Sequence, residues 1–214
     1  MLYNRRLVSR FLLSALCAAL LLLGAGQAQA QILRVEEDWE LHLGEPDSNS
    51  VGPQVLTTMS PNPDINGTFF TAEFNHRSAP TWTPGGISIH RWAGEFRMGS
   101  YDRADRAVMN TSSEVVTWTQ ALYFDNSRLN FKVYNGHSTT WGDFGQTGTV
   151  KLDCSWGVGH VNSYTPAISM AHSGPAYAGN RVTLLKITAV RKYTLLGVLI
   201  DNDTTERIVH QLVE

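Results

Sequence analysis

Glu36, Asp38 and Glu40 stand at alternate positions in the run Val35-Glu36-Glu37-Asp38-Trp39-Glu40. On a β-strand, alternate side chains leave from one face. The three carboxylates would therefore project together while Val35, Trp39, Leu41 and Leu43 supply the apolar face. Carboxylates so placed could divide nucleophile and acid roles in cleaving a glycosidic bond. Spacing argues against that use: positions four apart on an unbulged strand are separated by roughly 13 Å. Glycosidases hold their pair roughly 5 Å apart when retaining and roughly 6.5 to 9.5 Å apart when inverting. The expectation is a solvated first strand in a protein that is not an enzyme, with hydrolysis through Glu36, Asp38 and Glu40 as an alternative.

A second group is Asp201-Asn202-Asp203-Thr204-Thr205-Glu206, which bunches oxygen ligands suited to a hard cation such as calcium. Asp201, Asp203 and Glu206 are the candidate ligands. The run lacks the glycine and the twelve-residue spacing of an EF-hand, so a polar hairpin loop between Val198-Leu199-Ile200 and Arg207-Ile208-Val209 is the expectation and calcium the alternative. The seven His show no metal-ligand spacing and no His-Glu-x-x-His. Gly136-His137-Ser138 is half of a nucleophile elbow and has no helix to follow it.

The six Trp carry the remaining signal. Trp39, Trp92, Trp118 and Trp156 lie in strand-like runs with apolar partners and are expected in the core. Trp82 lies in the loop-like stretch Ser78-Ala79-Pro80-Thr81-Trp82-Thr83-Pro84, and Trp141 stands close to Asn135, His137 and Asp143. An indole beside amide and carboxylate groups can stack a sugar ring and read its hydroxyls. Trp82, Asn135, His137, Trp141 and Asp143 are therefore the candidate binding residues of a carbohydrate-binding or adhesive protein, with an extracellular glycan as the partner; a structural envelope or matrix protein without a small ligand is a further alternative.

The elements that must hold these residues are strands. Period-two alternation rich in Val, Thr and aromatics marks eleven of them: 35–43, 54–59, 68–75, 86–92, 115–124, 129–134, 138–144, 151–156, 182–193, 198–201 and 207–212. Turn residues separate them, as at Pro61-Asn62-Pro63-Asp64 and Asp125-Asn126-Ser127. Asn135-Gly136 predicts a type I′ hairpin turn between Leu129–Tyr134 and Ser138–Phe144. Residues 157–180 show no alternation and are expected as a long surface loop. Many short strands without a repeat predict an all-β antiparallel sandwich.

The segments Gly85-Gly86-Ile87-Ser88-Ile89-His90-Arg91-Trp92 and Leu129 to Gly142 resemble strands of the concanavalin A-like lectin and glucanase sandwiches. The resemblance implies a jelly-roll arrangement. Glu36 to Glu40 is similar to the Glu-x-Asp-x-Glu outline of laminarinase-type glucanases, but that family has an apolar residue where Glu37 stands and carries its motif deeper in the chain. The Asn-Gly-x-Ser-x-x-Trp-Gly pattern at 135–142 also resembles a group of secreted bacterial proteins, which implies no activity.

The first thirty residues read differently. Arg5, Arg6 and Arg10 precede an apolar run from Phe11 to Ala25 that ends in Ala28-Gln29-Ala30. This is the pattern of a cleaved signal-peptide helix, too short to span a bilayer. Residues 1–30 are expected as the leader and 31–214 as a single sandwich domain, secreted or in the periplasm or cell envelope, with no membrane span after cleavage. Three of the 17 basic residues fall in the leader, leaving 14 against 19 acidic ones and a net charge of −5. That balance disfavours nucleic-acid partners. Of two Cys, only Cys154 remains, so no internal disulfide can form. Alternation with Val150 and Leu152 makes Cys154 a buried apolar residue.

Overall fold

The computed structural model describes residues 31–44, 53–74, 87–103, 113–139, 142–145, 150–155, 157 and 159–213. The expected leader, Trp82, Trp141 and Trp156 lie outside them. Among the described residues, thirteen strands form two antiparallel sheets. The larger contains β1 (Arg34–Leu43), β6 (Val115–Asp125), β7 (Arg128–Ser138), β8 (Gly142–Phe144), β9 (Lys151–Ser155), β11 (Val182–Tyr193), β12 (Leu199–Asp203) and β13 (Arg207–Gln211). Its order is β12-β11-β1-β6-β7-β8, with β13 also on β11 and β9 also on β7. The smaller contains β2 (Gln54–Met59), β3 (Thr68–Phe74), β4 (Ile87–Ala93), β5 (Phe96–Arg103) and β10 (Gly174–Tyr177), in the order β10-β2-β3-β4-β5.

Apolar faces of both sheets meet in one core. Trp39 stacks on Trp118 at 5.9 Å between adjacent strands of the larger sheet. Phe74 reaches across from the smaller sheet to Trp118 at 4.3 Å, and Phe70 to Phe131 at 5.4 Å. The protein is thus a β-sandwich, as alternation predicts. Cys154 lies in this core, 2% exposed and opposite Leu129. Trp92 differs from expectation. It sits half-buried on the other face of the smaller sheet, stacked on Phe69 at 6.0 Å, because Ile87 and Ile89 take the inward positions of β4.

Several elements depart from the sequence reading. β1 is an interior strand, paired with β11 on one side and β6 on the other, and its outer face is only partly solvated: Glu36 is 2% exposed, whereas the Asp38 and Glu40 side chains keep 28% and 25%. The segment 157–180 is packed rather than a surface loop: Val161 is fully buried, and α1 (Pro166–Ala171) follows, with Thr165 as its cap and Pro166 in the first turn. The edge strand β10 comes next, where Pro175 costs no interior ladder bond. β5 went unread because Gly99 and charged residues interrupt its alternation. It pairs with β4 through a tight turn at Gly94-Glu95, with Gly94 at φ 57°.

Asn135-Gly136 does not make a turn. β7 runs through it, and Trp118 faces both residues in a β-bulge, with Asn135 at φ 50°. Gly136 is required by packing, since a Cβ there would lie 2.2 Å from the Phe144 ring. The β6–β7 turn is at Asn126-Ser127, where φ values of 48° and 63° meet the type I′ requirement. β12 and β13 do not form a hairpin with each other either. Both pair antiparallel with β11, at its residues 190–193 and 184–187, and make one interrupted edge strand.

Candidate functional site

The outer face of the larger sheet collects most of the residues with chemical potential. Cross-strand register sets them in rows. Lys186, Glu40, Thr117, His137 and Asp143 are successive partners across β11, β1, β6, β7 and β8. Asp38, Thr119 and Tyr134 form the next row, and Arg191, Glu36, Ala121 and Lys132 the one beyond. The bulge at Asn135 adds an extra residue on this side of β7. It opens into a depression of about 340 Å³ shared with Asp38, Glu40, Thr117, Thr119, Thr188 and Arg191. The register therefore brings Asn135, His137 and Asp143 onto the same face as Glu36, Asp38 and Glu40.

Glu36 is only 2% exposed because long side chains from its neighbours close over it. Its carboxylate accepts hydrogen bonds from Arg34 Nε at 2.7 Å, Tyr193 OH at 2.9 Å and Arg191 Nε at 3.1 Å, and from Tyr134 OH. Burial opposes its ionisation. The bond from Tyr134, the charge of Arg34 and the bond from Tyr193 outweigh burial and hold the carboxyl below its ordinary range. Asp38 accepts from Thr119 Oγ1 at 2.7 Å and from Arg191 Nη2 at 2.7 Å, with Arg191 Nη1 on its other oxygen. One guanidinium thus clamps both carboxylates. The bonds to Asp38 lead in raising the pKa of Arg191, so it stays charged.

Around this clamp, Lys132 Nζ lies 3.8 Å from the centre of the Tyr134 ring and the Arg34 guanidinium 4.6 Å from that of Tyr193. Burial, with Arg34 nearby, lowers the pKa of Lys132. Glu40 meets His42 Nε2 at 2.6 Å and Lys186 Nζ at 3.4 Å. His137 Nδ1 meets Asp143 Oδ1 at 2.7 Å in the open, with more than half of each side chain exposed. The face offers a dense set of fixed donors and acceptors. A general acid, by contrast, needs a carboxyl whose pKa is raised, and Glu36 is shifted the other way.

Sequence reasoning did not single out Glu37 for a role. It points inward, fully buried, and accepts from Trp39 Nε1 at 3.0 Å, Gln120 Nε2 at 2.7 Å and Tyr164 OH. Burial pushes its pKa up against the bonds from Tyr164, Gln120 and Trp39. Gln120 in turn accepts from Thr57 Oγ1 at 2.8 Å, so one polar chain crosses between the sheets. A charged residue at an inward strand position was the available signal.

A second buried cluster lies on the far face of the smaller sheet. Ser88 Oγ is 3.0 Å from His90 Nε2, and Glu73 Oε2 is 3.5 Å from the same nitrogen. Relay of a proton from serine uses opposite nitrogens of the ring, so this arrangement fits packing.

The acidic run at 201–206 is dispersed. Asp201 pairs with Lys192 at 2.9 Å, Glu206 with Lys186 at 2.8 Å, and Asp203 with Arg207. Bonds from Thr205, then Arg207, pull the Asp203 carboxyl down to about 2. Among the described residues, no three His, Cys, Asp or Glu are grouped to hold a metal ion. Nor is any helix among them long and apolar enough to cross a membrane.

Fold and site together define an antiparallel β-sandwich with a polar, depressed sheet face. No protein-family model matches the chain, and no curated protein is significantly similar to it.

Proposed function

We propose that this chain is an exported, non-enzymatic sandwich of jelly-roll, concanavalin A-like kind that binds carbohydrate, or adheres through it, on the outer face of its larger sheet. One observation carries the reading: Asn135 opens into a depression bordered by Asp38, Thr119 and Arg191, on the face that also bears His137 and Asp143. An array of fixed amide, hydroxyl and carboxylate groups suits the hydroxyls of a sugar. Trp141, two residues before Asp143 in the chain, supplies the stacking ring in this proposal, and Trp82 a second. Export rests on the leader pattern of residues 1–30.

A glycan array followed by calorimetric titration tests it. Binding that weakens in Asn135→Gly and in Trp141→Ala, with the unfolding temperature unchanged, is the expected result. An array without a ligand would sink the proposal.

Hydrolysis through Glu36, Asp38 and Glu40 is the rival reading, favoured by their shared face. It requires activity on a β-glucan that disappears in Glu36→Gln. The clamp of Arg191 on Glu36 and Asp38, together with the lowered pKa of Glu36, supports binding over hydrolysis.

A further inference from the structure

Ten large apolar side chains are exposed among the described residues, and eight of them fall between Leu195 and Val213. They are spread along one border of the larger sheet. Leu195 and Leu196, at 77% and 85% exposure, tip the β11–β12 connection; Leu199 and Ile200 follow in β12, Ile208 in β13, and Val213 lies beyond. Both strands pair with β11 on one side and with no described strand on the other. Three of these side chains, Leu199, Ile200 and Ile208, lie in the two strands and the others flank them, while the run Asp201 to Arg207 between is polar, with the Thr205 N–H bonded to Asp203 and its carbonyl to Arg207. A sheet edge without a neighbouring strand is a template for another strand. Isolated domains usually blunt such an edge.

The edge is symmetric in layout. β12 and β13 are five residues each, and three residues, Thr204 to Glu206, separate them. The midpoint is Thr205. Antiparallel pairing of this edge with itself about Thr205 lays β12 along β13 of a second copy. One pair of opposite charges meets in that register, Asp203 with Arg207, while Asp201 would face Val209 and His210 would face Ile200. Asp203 would face Arg207 of the other copy, while each Arg207 already holds Asp203 of its own chain. Four charges of alternating sign then surround the axis.

We propose that β12 and β13 form a homodimer interface, in which two copies of this chain join edge to edge about Thr205 and continue the larger sheet across the axis. The occupant of the edge is a second copy.

Sedimentation velocity on a dilution series of the purified protein tests this. The expected result is a reversible dimer whose dissociation constant rises by about tenfold or more in the double variant Ile200→Lys, Ile208→Lys, with an unchanged far-ultraviolet spectrum. A variant that loses that spectrum is replaced by a second measurement, cross-linking. With the native cysteines changed to Ala, Thr205→Cys should oxidise rapidly to a covalent dimer, and Leu195→Cys, far from the axis, should not. A monomer at every concentration, a dimer indifferent to the lysines, preferential cross-linking at Leu195, or a monomer that floats with phosphatidylcholine vesicles would each overturn the proposal.

Discussion

The Tyr164 hydroxyl donates to the Glu37 carboxylate inside the core, tying the segment before α1 to the interior strand β1. Trp39 and Gln120 donate to the same group. Replacing Glu37 by Leu leaves three buried donors without an acceptor, at about 1–3 kcal/mol each. Urea unfolding should show a loss of several kcal/mol for Glu37→Leu and a smaller one for Glu37→Gln, which keeps an acceptor oxygen.

The same residue sets a pH dependence. A carboxyl with a folded pKa above its ordinary 4.5 binds more protons in the native state than in the unfolded one. Its contribution is fully present below pH 4.5 and declines as pH rises from there to the folded pKa. Unfolding free energies measured across that window should fall in the wild type and be flatter in Glu37→Gln. Equal slopes would refute the assignment.

Glu36 acts in the opposite sense. Its lowered pKa makes its contribution present above 4.5 and lost as pH falls through the folded value. Arg191→Ala removes one donor from Glu36, which keeps Arg34, Tyr193 and Tyr134, and the clamp on Asp38, which keeps Thr119, and should cost about 1–3 kcal/mol. The acid limb of a thermal-unfolding profile should move to higher pH. Arg191→Lys should recover only part, because an ammonium cannot bridge two carboxylates as the guanidinium fork does.

Gly136→Ala tests the bulge. With the Phe144 ring 2.2 Å from the added Cβ, β8 must shift or the ring must leave the core, a cost of about 1–3 kcal/mol. Calorimetry should show the lowered transition, and the aromatic proton shifts of Phe144 should change. Asn135→Gly, which keeps the left-handed backbone freely accessible, should leave stability almost unaltered.

Cys154 is buried at 2% exposure. Its thiol should fail to react with an aromatic disulfide reagent in the native protein and react fully in denaturant. Prompt native labelling would contradict its place in the core.

Alternation alone determined the β class, eleven of whose strands run where Val, Thr and aromatic residues alternate, and the inward set Val35, Trp39 and Leu41, because water sorts side chains by face wherever a strand is half buried. The grouping of Asn135, His137 and Asp143 was legible too, being local in the chain. Which strands lie side by side was decided only by tertiary structure. Glu36 reads as solvated until β11 and β7 bring Arg191, Tyr193 and Tyr134 around it, and no local pattern encodes partners some hundred residues away. Asn135-Gly136 reads as a turn until Phe144 needs the space over Gly136, and 201–206 reads as a hairpin until β11 pairs with both of its flanks. In each case long-range pairing and packing outweighed a local preference worth about 1 kcal/mol.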